Sequence, residues 1–222
     1  MRAKLSVIIP TLEAGAVLPA CAAALFEGVE AGLIRELLIS DGGSSDATAQ
    51  IAEEIGAELV TGPASRGGQL RRGAAAARGD WLLILHADTR LSAGWTVAVA
   101  EAMASGRPGY FRLRFDARGL APRLVAGWAN LRARVFGLPY GDQGLLIPRQ
   151  TYEAAGGYPD IPLMEDVALV RKLPRLTPID AEALTGAEKY LRDGWVRRGA
   201  RNLWCLIRYL LGADPARLAR KY

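Results

Sequence analysis

Histidine and cysteine are scarce in this sequence, which has one histidine and two cysteines in 222 residues. Cys21 and Cys205 lie far apart and form no CxxC or other metal-ligand spacing, so we expect reduced, buried thiols in a cytoplasmic protein. No GxSxG segment is present, and a single histidine cannot serve both a catalytic triad and a metal site. These shortages argue against a zinc site and against a serine or cysteine nucleophile.

Long hydrophobic runs are also missing. The longest stretch without a charged residue is Ala14 to Phe26, which Pro19 interrupts. A membrane-spanning helix needs about 20 apolar residues, so none is predicted. The residues from Met1 to Lys4 lead directly into a strand-like segment, and we therefore expect no signal peptide.

The balance of charge is basic, with a net charge of +5 and a pI near 9.5. A solvated basic surface would explain this excess. An anionic partner would explain it equally well: a nucleoside diphosphate, a nucleic acid or an anionic membrane leaflet. The length and an ordinary hydrophobic content of 50% predict one globular domain, or one domain with an appendage.

Strand and helix patterns alternate through the first half of the chain. Such alternation predicts a mostly parallel sheet covered by helices, in which ligands bind beyond the carboxyl ends of the strands. Ser44 or Ser45 is a suitable cap for the second helix, which stops at Gly56. The predicted strands are 5–10, 36–42, 57–62 and 80–88, and the predicted helices are 18–33, 44–56 and 67–79.

The second half is less regular. We predict a strand with one solvated face at 110–118, an amphipathic helix at 121–136 and a turn plus strand at 141–149. A short helix carries Glu165 and Asp166 in its first turn. The tail, 192–211, predicts a basic amphipathic helix that either packs on the domain or docks on a membrane surface.

Several polar side chains at the predicted strand ends admit two interpretations. Asp41 could accept a hydrogen bond from a nucleobase or ribose, or could simply order a turn rich in glycine and serine. Arg66 and its neighbours at a helix start could bind phosphate or form a solvated basic face. No Walker A or GxGxxG sequence is present to decide between these possibilities.

The remaining acidic positions are similarly ambiguous. Asp88 at a strand end could hold Mg²⁺ or Mn²⁺ against a diphosphate, and His86 could be a second ligand or a structural residue. Of Glu165 and Asp166, one could face the cleft as a general base, or both could stabilise a helix N-terminus.

Taken in order, five segments resemble family 2 glycosyltransferases of the GT-A fold. They are "SVIIPTLEA", "ISDGGSSDAT", "SRGGQLRRGAAAARGDWLLILHADT", "GDQ" and "PLMEDVAL", and they span residues 4 to about 170. "HADT", "GDQ", "PLMED" and "GADPARLA" resemble most closely a bacterial subgroup labelled arsenosugar-biosynthesis-type. The resemblance implies an α/β GT-A fold with a mostly parallel mixed sheet, a transferase domain at 1–190 and a basic tail at 191–222.

The resemblance also implies a role for each matching residue. Asp88 would bind Mn²⁺ or Mg²⁺ as the final Asp of the family's DxD motif, and Asp166 would deprotonate the acceptor with support from Glu165. The nucleobase and ribose pocket would be lined by Pro10, Thr11, Glu13 and Asp41, the diphosphate region by Arg66 and Gln69, and the sugar and acceptor site by Gly141, Asp142 and Gln143.

Two departures from the family pattern stand out. His86 replaces the first Asp of DxD, which removes one negative charge beside the diphosphate. Ala187 to Leu191, "AEKYL", stands where processive synthases carry a QxxRW segment, so we expect a non-processive enzyme.

The resemblance therefore implies a hexosyltransferase-like enzyme that transfers a sugar, with inversion, from a UDP- or GDP-linked donor to an acceptor hydroxyl. A lipid-linked acceptor and peripheral contact with the inner face of the membrane would suit the basic tail, and no nucleic-acid partner is expected. The alternatives are a nucleotidyltransferase, or a sugar-nucleotide- or membrane-binding protein on a degenerate transferase scaffold.

Overall fold

The computed structural model describes residues 3–220, in which strands and helices alternate regularly as far as residue 84. The strands are β1 (Leu5–Thr11), β2 (Ile34–Asp41), β3 (Glu58–Thr61), β4 (Trp81–Ile84), β5 (Thr89–Leu91), β6 (Gly109–Phe115), β7 (Leu145–Pro148) and β8 (Thr177–Thr185). The helices are α1 (Leu18–Glu30), α2 (Thr48–Glu54), α3 (Arg66–Ala76), α4 (Trp95–Ser105), α5 (Leu120–Phe136), α6 (Arg149–Ala154), α7 (Glu165–Val170), α8 (Glu188–Asp193), α9 (Trp195–Leu210) and α10 (Pro215–Ala219). A 3₁₀ turn, Gly141–Gln143, precedes β7.

The strands form one sheet in the order β3-β2-β1-β4-β7-β6-β8-β5. The half built from β1 to β4 is parallel, as the alternating pattern predicts. β7 is antiparallel to both β4 and β6, while β8 is parallel to β6 and antiparallel to β5. The predicted mixed sheet flanked by helices is confirmed.

The central strands are buried on both faces because helices cover both sides of the sheet. Successive residues of a strand point to opposite faces. Accordingly Ile9 and Leu83 belong to one apolar cluster, whereas Ile8 and Leu82 belong to another. This two-sided burial explains why β1 and β4 are almost continuously apolar in sequence.

Several predicted boundaries differ from the structure. α1 ends at Glu30, three residues early, since β2 already begins at Ile34. The predicted serine caps of α2 are wrong, because Ser44 and Ser45 bond to other parts of the site and the Thr48 amide donates to Asp46 Oδ1 at 3.0 Å. β4 stops at Ile84, short of the histidine.

The tail packs against the domain through α9. Its Cys205 and Leu206 are buried with Met164 and Val167 of the α7 region, and both cysteines are free and buried, as predicted. The predicted boundary between the transferase domain and the tail, after residue 190, falls inside α8. Residues 1–2 of the predicted domain and 221–222 of the predicted tail lie outside the described residues. Between residues 3 and 220, no helix has the length and apolar character needed to cross a membrane.

Gly67, in the first turn of α3, packs directly against the backbone of the segment that precedes α7. A Cβ at Gly67 would lie 2.0 Å from the Pro159 carbonyl oxygen, whereas a Cβ at Gly127 in α5 would meet nothing within 4 Å. We expect Gly67→Ala to lower the free energy of unfolding by about 1–3 kcal/mol, because backbone must move. Gly127→Ala is the matched control and should raise it by up to about 1 kcal/mol. Urea denaturation measures both changes, and equal stability of the two variants would contradict this packing.

Candidate active site

Two cavities meet at the end of β4. The larger has a volume of about 770 Å³ and the smaller about 140 Å³. Both are bounded by the carboxyl ends of the parallel strands, where the sequence pattern predicts ligand binding. The residues that line both cavities are Arg66, His86, Asp88, Gly186 and Lys189.

The larger cavity contains most of the predicted nucleotide-binding residues. Pro10, Thr11, Glu13 and Gln69 all line it. Gln69 is buried and holds two strand ends together, since its Nε2 donates to the carbonyl of Thr11 at 2.5 Å and to that of Ser40 at 3.3 Å. Its amide therefore shapes this wall of the cavity.

Asp41 is buried next to the wall of the larger cavity and lines neither cavity. Its buried carboxylate accepts hydrogen bonds from the Thr11 hydroxyl at 2.8 Å, from the Ser44 hydroxyl at 2.6 Å, and from the amides of Gly43 and Ser44 at 2.8 and 2.7 Å. These bonds hold the pKa of Asp41 below its ordinary value against the opposing effect of burial. The Asp41 carboxylate orders the turn after β2, and its contact with a nucleobase or ribose stays a prediction.

The backbone of Glu13 adopts a strained conformation, and hydrogen bonds to the turn after β2 hold it there. Its φ of 51° lies in the left-handed region, which is unusual for a residue with a side chain. The Glu13 amide donates to the Ser44 hydroxyl at 2.8 Å, and its Oε1 accepts from the Ser45 amide at 2.8 Å. The turn thus fixes Glu13 at the cavity edge.

Arg66 connects the two cavities. It begins α3, where Ser65 caps the helix by accepting from the Gly68 amide at 3.4 Å. The Arg66 Nε lies 2.7 Å from Glu165 Oε1, and its Nη2 lies 3.2 Å from His86 Nδ1 and also contacts His86 Nε2. Burial, together with the Arg66 charge, holds the pKa of His86 well below its ordinary value, so the imidazole is neutral.

Four carboxylates face the smaller cavity: Asp88, Asp142, Glu165 and Asp166. Burial raises the pKa of Glu165 to about 7, with a further contribution from Asp166 and opposition from Arg66. Burial likewise raises the pKa of Asp142 to about 6, against the effect of Arg132. Asp142 Oδ1 is buried and has no hydrogen-bond partner among residues 3–220.

Asp166 is held firmly beside the 3₁₀ turn. Its Oδ2 accepts from the Gly141 amide at 2.8 Å, and its Oδ1 accepts from the Val167 amide at 2.7 Å. Met164, two residues before Asp166, has a left-handed φ of 67°. A Cβ at Gly141 would lie 2.4 Å from His86 Nε2, so this approach requires glycine. The predicted base and the predicted turn are therefore in contact.

Gln143 is the one residue of the "GDQ" turn that points away from the cleft. It is fully buried, and its Nε2 lies 3.3 Å from the Phe111 carbonyl oxygen and 3.2 Å from Asn130 Oδ1. It lines neither cavity. Its amide supports the turn from β6 and α5, and the place of Gln143 beside the sugar or acceptor stays a prediction.

The segment after β8 supplies wall residues that motif matching did not assign. Lys189 lines both cavities, and Tyr190 lines the smaller one. The signal lay in the position of "AEKYL", since this is where processive relatives carry their QxxRW segment. Tyr140, Arg198 and Asn202 complete the outer wall of the smaller cavity.

Comparison with known proteins identifies the family. The model of glycosyl transferase family 2 matches residues 6–130, more than half of the chain. The chain belongs to glycosyl transferase family 2. A curated relative, the PGL/p-HBAD biosynthesis glycosyltransferase of Mycobacterium bovis (strain BCG / Pasteur 1173P2), is 38% identical over 104 residues, which cover 44% of this chain and 40% of the relative. The match thus spans less than half the length of that relative.

Solved structures support the GT-A glycosyltransferase fold. Glucosyl-3-phosphoglycerate synthase of Mycobacterium tuberculosis, in complex with Mn²⁺, UDP and phosphoglyceric acid, superposes with a TM-score of 0.56 at 21% identity over 79% of this chain and 68% of that one. S. aureus TarS gives a TM-score of 0.60 at 14% identity over 97% of this chain and 41% of that one. The predicted family and fold of this family 2 glycosyltransferase are confirmed.

The raised carboxyl pKa values of this family 2 glycosyltransferase predict a pH-dependent stability. Glu165 and Asp142 bind protons more strongly in the folded than in the unfolded state. The folded state then holds more protons between the two sets of pKa values, so stability falls as pH rises, by up to about 1.4 kcal/mol per pKa unit per group. We expect the free energy of urea unfolding to fall from about pH 4, near the ordinary pKa values of the two groups, to about pH 7.

Glu165→Gln should remove the part of this fall that continues up to about pH 7, and Asp142→Asn the part that ends near pH 6. The slope is the readout, because Glu165→Gln also changes the contact with Arg66 and therefore the absolute stability. An unchanged slope in both variants would contradict the raised pKa values.

Proposed function

We propose that this family 2 glycosyltransferase transfers a sugar, with inversion and without processivity, from a nucleoside-diphosphate sugar to an acceptor hydroxyl. The donor would occupy the larger cavity, and the acceptor would enter the smaller one. Asp166 would be the general base. The nucleotide would be UDP or GDP; the structural relative that holds UDP with Mn²⁺ supports the former.

One observation carries this proposal: Asp88 and Arg66 stand in the wall common to both cavities. A transfer reaction needs the donor's leaving group and the acceptor's attacking oxygen on either side of the transferred carbon. A larger cavity lined by the predicted nucleotide residues, joined to a smaller one lined by carboxylates, provides that arrangement. The reacting carbon would then lie near the common wall.

The proposed base is suited to its step. Each oxygen of Asp166 accepts one backbone hydrogen bond, and a carboxylate oxygen has a second lone pair with which to accept a proton. The acceptor oxygen would bond to the anomeric carbon as its proton passes to Asp166. The bond from that carbon to the diphosphate oxygen would break, and its electron pair would leave with the nucleoside diphosphate.

Positive side chains face the proposed leaving group. Arg66 and Lys189 line both cavities, and a guanidinium can bind phosphate oxygens through two parallel hydrogen bonds. Glu165 Oε1 lies 2.7 Å from Arg66 Nε and so fixes the position of the guanidinium. Glu165 would therefore support catalysis by orienting Arg66, while Asp166 would accept the proton.

A divalent cation fits Asp88 better than His86. The described residues contain no group of three or more His, Cys, Asp or Glu placed to hold a metal. Asp88 offers a carboxylate oxygen at the common wall, but both ring nitrogens of His86 contact Arg66. We therefore narrow the predicted site to Asp88 with the oxygens of the donor's diphosphate. Bound Mn²⁺ or Mg²⁺ would stabilise the charge that develops on the leaving group.

The finer predictions about acceptor and location remain proposals. A lipid-linked acceptor and peripheral membrane contact are supported by the basic, amphipathic character of α9, whose Arg198 and Asn202 line the smaller cavity. We also retain residues 1–190 as the transferase domain and 191–222 as its tail, although α8 crosses that division.

Asp166→Asn tests the base. We expect transfer to fall by about 10²- to 10⁴-fold, as for loss of a general base, with donor affinity retained. Release of nucleoside diphosphate from UDP- and GDP-sugars with Mn²⁺ measures turnover, and calorimetry measures donor binding. Asp180→Asn is the matched control, because Asp180 is an exposed residue of β8 that lines neither cavity, and it should keep full activity.

Full turnover by Asp166→Asn would overturn the assignment of the base. If the wild type binds a donor without turning it over, the chain is a sugar-nucleotide-binding protein on a degenerate scaffold. Pyrophosphate release from a nucleoside triphosphate and a sugar phosphate would identify a nucleotidyltransferase instead.

Asp88→Ala and His86→Ala together test the metal assignment. We expect the Mn²⁺-dependent part of donor affinity to fall roughly tenfold or more in Asp88→Ala, whereas His86→Ala should leave most of it intact. Calorimetric donor titration with and without Mn²⁺ measures this difference. An equal loss in both variants would show that the imidazole is a ligand after all.

A further inference from the structure

Helix α5 exposes a stripe of large apolar side chains. The stripe runs along the helix at intervals of four, four, three and four residues, and its members are 46 to 76% exposed. This spacing places them on one face of a helix. They are Leu120, Leu124, Trp128, Leu131 and Val135.

Helix α9 exposes a second apolar stripe. Its Cys205 and Leu206 are buried against the domain, so the helix has a packed side and a solvent side. The apolar residues on the solvent side are 38 to 84% exposed. They are Val196, Leu203, Trp204, Ile207 and Leu210.

The two helices pack against each other, so the two stripes lie on neighbouring elements. We name the ten residues of the stripes the α5–α9 face. Exposed arginines accompany both stripes, Arg123 and Arg134 on α5 and Arg197 and Arg208 on α9. Neither helix contains an aspartate or a glutamate.

This distribution of charge decides between two kinds of partner. A second copy docking through the same face about a two-fold axis would place arginines near arginines, with no carboxylate on either helix to compensate. An anionic lipid surface instead offers phosphates to the arginines and acyl chains to the leucines. The Arg208 guanidinium lies 5.8 Å from the centroid of the Trp204 ring, so a cation and an indole occur together, as at membrane interfaces.

We propose that the α5–α9 face docks on the anionic surface of a lipid bilayer. The proposal extends the contact expected of the tail helix to α5, which supplies five of the ten exposed apolar residues. Arg198 and Asn202 of α9 line the smaller cavity, so docking would bring the acceptor end of the cleft close to the lipid headgroups. This last consequence rests on the proposed function; the docking itself does not.

Vesicle co-sedimentation of the full chain tests the docking. We expect binding to vesicles of phosphatidylcholine with phosphatidylglycerol, weakened by salt, and little binding to phosphatidylcholine alone. Leu124→Asp on α5 and Trp204→Asp on α9 should each lower the partition coefficient roughly tenfold or more, because each removes a large apolar group and adds a negative charge. Val97→Asp, at an exposed apolar position of α4, is the matched control and should bind like the wild type.

Thermal unfolding followed by circular dichroism should show all three variants folded, because each replaced side chain is exposed. Equal binding of wild type and Leu124→Asp would overturn the proposal, as would equal binding to neutral and anionic vesicles. A dimer in analytical ultracentrifugation that Leu124→Asp dissociates, without vesicle binding, would make the face an interface between two copies. Donor hydrolysis in the absence of vesicles should be unchanged in Leu124→Asp. A wild type that binds vesicles but turns over no donor would leave the docking intact and overturn the proposed function.

Discussion

The ion pair between Arg66 and Glu165 is the contact on which the cleft depends. It joins the first residue of α3 to the first residue of α7, and so connects the wall built from the parallel strands to the wall that carries the proposed base. Burial works against the charge of Arg66, but the surrounding carboxylates, Glu165 first among them, raise its pKa above the ordinary value. The Arg66 guanidinium in turn offsets part of the repulsion between the acidic groups around it. An arriving diphosphate would compete with Glu165 for that guanidinium, which couples donor binding to the position of α7.

The two walls also share a pattern of backbone strain. Glu13 and Met164 are the non-glycine residues with left-handed φ between residues 3 and 220, and one lines each cavity. Such conformations cost about 1–3 kcal/mol each and persist only where the surroundings hold them. Glu13 is held by the serine turn after β2, and Met164 by burial against α9. Asp41 thus contributes to the wall of the larger cavity indirectly, because its carboxylate orders the turn that holds Glu13.

The sequence predicted the parts of the site whose positions follow from strand ends, and missed those that depend on distant partners. Asp88 and Thr11 lie at the common edge because they follow or end parallel strands, which the alternating pattern predicts; the structure adds that β1 and β4 are neighbours. The burial of Gln143 depends instead on Phe111 and Asn130, and Lys189 reaches the cleft only because β8 pairs with β6 and β5. No local pattern encodes these pairings. The role of each predicted residue in binding or catalysis stays a prediction.

Helix α5 shows why hydrophobic periodicity alone could not identify the exposed face. Its sequence is apolar on two sides, so an amphipathic pattern correctly predicts the helix but leaves its orientation open. The buried side carries small residues, Ala126, Ala129 and Ala133, which let the helix lie close to β6. The large residues, such as Leu124 and Trp128, point to solvent, the reverse of what burial of apolar area within the domain would favour. Size therefore separates the two faces where hydrophobicity does not. Leaving leucine and tryptophan side chains outside the core is explained if an apolar surface outside the chain covers them.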